Sequence, residues 1–157
     1  MRDLGTLGGY YSLASHINDA GQVAGFSYTA GGYDHAFITG PDGTGMRDLG
    51  TLGGYESFAS GINDVGQVVG QSLTAGGARH AFITGPGGMG MRDLSASGGD
   101  DTAYGINDAG QVVGQSRPAG GTYYAFITGT DGRGHDGPQF AGASARRGNS
   151  NRGTRHQ

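Results

Sequence analysis

A chain of 157 residues with 36 Gly, only four Pro and no G-X-Y period is not collagen-like, and it is too short for two independent enzymatic domains. It has no Cys, which excludes disulfides, thiolate metal sites and Cys nucleophiles. The net charge of −3 is uneven: residues 1–134 hold six Arg against twelve acidic residues, while 135–157 hold four Arg against Asp136. No broad nucleic-acid-binding face is expected from an acidic body of this kind.

Helix formers are scarce. Every basic residue is Arg, and twelve Asp stand against the single Glu56. Asp favours turns and caps because its side chain competes with the backbone for hydrogen bonds. Aligning the chain on Met-Arg-Asp-Leu exposes three copies at 1–45, 46–90 and 91–134, the third one residue shorter. A period of about 45 residues points to propellers and some solenoids.

Each copy is predicted to hold four short strands. The first runs over Leu13 to Ile17, matched by Phe58 to Ile62 and Thr102 to Ile106. It ends at Asn-Asp-x-Gly, where Asn and Asp cap their own backbone and Gly21, Gly66 or Gly110 supplies positive φ. The second strand follows as Gln-Val-Ala/Val-Gly-x-Ser. Gly25, Gly70 and Gly114 fall in its middle, a position that marks a bulge or a close backbone approach. A Thr/Pro-Ala-Gly-Gly loop leads to the third strand, x-Ala-Phe-Ile-Thr-Gly, and a Gly-rich turn leads to the fourth, Met-Arg-Asp-Leu.

Val68-Val69-Gly70 and Ala81-Phe82-Ile83 lack polar alternation, so both faces of these strands are expected to be covered. The predicted fold is all-β: tandem four-stranded antiparallel blades, β-propeller-like, with three repeats that are incomplete or closed by oligomerisation. Met1 to Leu4 is then a fourth strand without its own blade. It is expected to close the array on Tyr124 to Thr128, within one chain or between chains. The expected partners are further copies, or the remainder of a longer array. Residues 135–157, Gly-, Ser- and Arg-rich, are expected to be a disordered tail.

No apolar run approaches the ~20 residues of a membrane span, and Met1 leads into repeat sequence without a signal-peptide pattern. The chain is therefore expected either not to carry its own export signal or to be a piece of a longer product.

The segments Asp-Leu-Gly-Thr-Leu-Gly-Gly, Gly-Ile-Asn-Asp-x-Gly-Gln-Val-Val-Gly and His-Ala-Phe-Ile-Thr-Gly resemble the bacterial HAF repeat family, named for the triplet found here at 35–37 and 80–82. The likeness spans residues 1–134. The third copy departs from it, with Tyr124 for His and Ser95-Ala96-Ser97 for Gly-Thr-Leu. The resemblance implies an extracellular or cell-surface repeat protein of unknown biochemical activity.

Candidate chemistry is thin. His35 and His80 each stand without a second ligand at metal spacing, so a structural role is expected and no metal site. The Asn-Asp pairs 18/19, 63/64 and 107/108 lack an EF-hand loop, and turn formation accounts for them. Asp100 and Asp101 are adjacent and would face opposite ways on a strand, or be solvated in a loop. No G-x-S-x-G context occurs. No catalytic residue and no cofactor is expected. The remaining candidates are tyrosines in the variable loops, Tyr10, Tyr11, Tyr33, Tyr55 and Tyr123, whose rings suit stacking on saccharides. The expected function is a noncatalytic structural, adhesive or interaction module. A carbohydrate-binding propeller is the alternative, and a propeller hydrolase or lyase comes last.

Overall fold

A computed structural model describes residues 1–95 and 98–133. Ala96, Ser97 and the segment 135–157 expected to be a disordered tail lie outside the described residues. The chain forms three antiparallel sheets, one per repeat. The first holds β1 (Gly8–Ile17), β2 (Val23–Thr29), β3 (Asp34–Thr39) and β4 (Met46–Asp48), in that order. The second repeats it with β5 (Gly53–Ile62), β6 (Val68–Thr74), β7 (Arg79–Thr84) and β8 (Met91–Asp93). The third comprises β9 (Asp100–Ile106), β10 (Val112–Arg117) and β11 (Tyr124–Ile127).

The all-β architecture of repeated antiparallel blades is therefore as predicted, with four strands in each of the first two sheets and, among the described residues, three in the last. The strands themselves run further: β1 and β5 begin at the Gly-Gly pair, five residues before the predicted start. The Gly-rich turn before each fourth strand is a short 3-10 turn, Pro41–Gly43 or Pro86–Gly88. Among the described residues no helix is long and apolar enough to cross a membrane.

Local chemistry explains the hairpins. Asn18 accepts from the Gln22 N–H through Oδ1 at 2.9 Å, and its carbonyl accepts from Gly21 N–H at 3.0 Å. Gly21 takes φ +77°, a value L side chains adopt only with strain. The mid-strand glycines meet both conditions that their position suggested. The β1–β2 pairing shifts register between Ala14 and His16, as β5–β6 does between Ala59 and Gly61. A methyl group on Gly25 or Gly70 would overlap the carbonyl oxygen of Leu13 or Phe58.

The sheets stack, and the core lies between them. The first and second share Ala24, Ala36 and Ile38 on one side and Ala59, Val68 and Phe82 on the other. The second and third share Val69, Ala81 and Ile83 against Ala103 and Val112. Val68 and Val69, neighbours on one strand, thus enter different cores. Both faces of the middle blade are covered, as the unbroken apolar run requires. Each large side chain buried this way contributes about 1.5–3 kcal/mol.

Among the described residues Met1 to Leu4 forms no strand, and β11 pairs only with β10. The closure on Tyr124 to Thr128 is not made within one molecule. Instead, Arg2 donates to the carbonyl of Asp42, and Leu4 lies beside Gly43. One repeat later, Arg47 donates to the carbonyl of Gly87, and Leu49 lies beside Gly88. Each Met-Arg-Asp-Leu thus leans on the 3-10 turn of the blade that follows it.

Candidate functional site

The candidate tyrosines fall into two groups. Four of them lie on the first two blades, in two stacks. Tyr10 and Tyr11 both stack on Tyr28, with ring centroids 5.8 and 5.4 Å apart. Neighbours on a regular strand face opposite ways, but the β1–β2 register breaks between Gly8 and Ser12, which lets both rings reach one partner. The Tyr11 hydroxyl donates to Asp34 at 2.7 Å. Beside Asp34, Tyr33 stacks on Tyr55 at 4.9 Å, joining the first blade to the second. Tyr10 remains 92% exposed, and the Tyr33–Tyr55 pair is exposed as well.

Tyr123 stands apart on the third blade, with the Arg117 guanidinium 5.1 Å from its ring centre. Arg117 also bonds Asp100 at 2.6 Å. The hydrogen bond to Asp34, then desolvation and the Asp34 charge, push the Tyr11 hydroxyl up to about 12. It therefore remains a donor throughout the physiological range.

Sequence reasoning missed Tyr28 and Asp34. Tyr28 lies on a strand rather than in a loop, and the equivalent positions are Leu73 and Arg117. The signal was present as a variable site within an otherwise repeated strand.

The polar candidates bind the fold together. His35 Nδ1 meets Asp48 at 2.8 Å, and His80 Nδ1 meets Asp93 at 2.6 Å. Each pair joins the third strand to the fourth, so the His of one motif and the Asp of Met-Arg-Asp-Leu form one unit. Asp48 also accepts from the Gly50 N–H at 2.7 Å. Asp100 and Asp101 face opposite ways on β9. Asp100 pairs with Arg117, whose hydrogen bond, together with one from the Arg79 N–H, lowers its carboxyl below the ordinary value. Asp101, expected to be solvated if it lay in a loop, is buried and bonded by the hydroxyls of Ser95 and Ser116. It replaces the Ser57 of the previous copy.

The Asn-Asp turns do more than turn. Asn18 Nδ2 donates to the carbonyl of Asn63 at 3.0 Å, and Asn63 Nδ2 to that of Asn107 at 3.1 Å. The N–H of Asp19 donates to Asp64 Oδ1 and that of Asp64 to Asp108 Oδ1, at 3.0 and 2.9 Å. Local turn formation alone therefore does not account for these residues; they form a ladder between blades. Among the described residues no group of three or more His, Asp or Glu is placed to hold a metal ion. No protein-family model matches the chain, and no curated protein matches it.

Proposed function

We propose that this protein is a noncatalytic interaction module, structural or adhesive in role, that works outside the cell or on its surface. The observation that carries this reading is the commitment of its polar side chains to the repeat itself. His35, His80, Asp48 and Asp93 tie third strands to fourth, and the Asn-Asp pairs tie blade to blade. The resemblance to HAF repeat proteins supports the extracellular assignment.

A second reading, carbohydrate binding, is favoured by the exposed tyrosines Tyr10, Tyr11, Tyr33 and Tyr55, the first two stacked on the half-buried Tyr28, with Asp34 bonded to Tyr11. Flat rings offer stacking faces to the C–H side of a sugar, and a carboxylate accepts from its hydroxyls. Tyr123, already covered on one face by Arg117, is a weaker platform.

Screening the full chain on a glycan array tests both readings. Saturable binding that falls at least tenfold on changing Tyr10 and Tyr55 to Ala is the result expected for stacking. Binding that survives both changes contradicts the stacking reading but leaves the adhesive module standing. Release of new reducing ends from a bound polysaccharide would overturn the noncatalytic assignment.

A further inference from the structure

The two end faces of the stack are the two halves of the interface that already joins its blades. On the trailing side of each blade, that interface uses Ala24, Ala36 and Ile38, then Val69, Ala81 and Ile83. The third copy carries Val113, Ala125 and Ile127 at the same positions. Ile38 and Ile83 are each 2% exposed, whereas Ile127 is 60% exposed and Val113 46%. On the leading side, the interface uses Ala59 and Ile62, then Ala103 and Ile106. The first copy presents Ala14 and Ile17 there, both exposed, with Leu13 beside them.

The polar contacts end in the same complementary way. Among the described residues Asn107 Nδ2 bonds its own Gln111, at 2.9 Å, and no other, whereas its two counterparts also reach the next blade. Ser57 Oγ receives the Ala36 N–H at 2.9 Å, and Ser12 is its counterpart on the leading face. The sheet edge matches too. β4 pairs with β3 through Phe37–Asp48, Ile38–Arg47 and Thr39–Met46. Among the described residues no fourth strand pairs with β11 at Phe126 to Thr128, and Met1 to Asp3 already leans on the first blade's turn as a preceding blade's fourth strand would.

We propose that copies of this chain associate head to tail through these two faces. Ala14 and Ile17 of one copy pack on Val113, Ala125 and Ile127 of another. Asn107 donates to the Asn18 carbonyl and Asp108 N–H to Asp19 Oδ1. Met1 to Asp3 adds to β11 in the register Thr128–Met1, Ile127–Arg2, Phe126–Asp3, a strand addition that completes the third blade. Such an interface is heterologous, with different patches on the two partners. It continues an interface present twice within the chain and is independent of any ligand at the tyrosines.

The two patches can be blocked separately. Ala14→Asp disables the leading face and Ala125→Asp the trailing face. Both sites are exposed on the single chain, and circular dichroism checks that each variant folds. By light scattering, the wild-type full chain is expected to exceed its single-chain mass of 15.8 kDa, and each variant alone to remain at it. Mixed one to one, the variants are expected to form a species of two chains and no larger, because each retains the face the other lacks. A wild-type chain that stays single at every concentration, a variant that associates as the wild type does, or a mixture that stays single would each overturn the proposal. So would association that appears only after residues 134–157 are removed, which would assign the trailing face to the chain's own C-terminal segment.

Discussion

Asn63 is readable in the sequence as a turn residue, and its bonds to Gln67 confirm that role. Its donation to Asn107, 44 residues away, is not readable, because the three Asn-Asp-x-Gly turns look alike whether or not a neighbour follows. Asn63→Ala removes both sets of bonds at a buried site and is expected to cost about 2–3 kcal/mol. In dilute, single-chain protein Asn107→Ala loses only the local set and should cost about 1 kcal/mol less in urea denaturation. Equal losses would mean that the bond between blades contributes nothing.

Tyr11 gives a second test at this scale. Its folded pKa lies above the unfolded value, so the stability it adds is fully present below pH 10. That stability fades as pH rises toward about 12. Asp34→Asn should bring the alkaline absorbance transition of Tyr11 back toward 10. No movement of the transition would show that the bond to Asp34 does not hold the proton.

Among elements, the repeat supplies its own controls. Ile83 on β7 and Ile127 on β11 are the same residue in the same motif, yet one is sealed by the next blade and the other is not. Ile83→Ala is expected to cost about 2–5 kcal/mol. In dilute, single-chain protein, Ile127→Ala should stay within about 0.5 kcal/mol, and comparable losses would contradict the stacking order. Periodicity and turn chemistry disclosed most of the strands, and Gly70 disclosed the close backbone approach at the bulge. Gly70→Ala should destabilise by about 3 kcal/mol or more, since the Phe58 carbonyl cannot yield without breaking the β5–β6 pairing. The longer starts of β1 and β5 were hidden because Gly8-Gly9 and Gly53-Gly54 read as punctuation. In the structure they allow close packing against Tyr28 and Leu73.

For the whole molecule, stacking converts a short repeat with little apolar content into two shared cores, and it leaves the outermost copies less buried than the middle one. That difference is invisible in any one copy, because it depends on what lies next to it. The tyrosine group follows the same rule. Its loop members were legible from composition, but their assembly around Tyr28 and across to Tyr55 depends on the register break and on the junction of two blades.

Residue-resolved amide exchange at Asp19 and Asp108 tests the stack most directly. Both lie in the tetrapeptide Asn-Asp-Ala-Gly, but among the described residues only Asp19 of the two donates its N–H to a following blade. In the Ala14→Asp chain, which cannot receive a neighbour on its leading face, Asp19 should exchange about fivefold or more slowly than Asp108, the ratio given by ~1 kcal/mol of net hydrogen-bond free energy. Equal exchange at the two amides would contradict a stack held together from turn to turn.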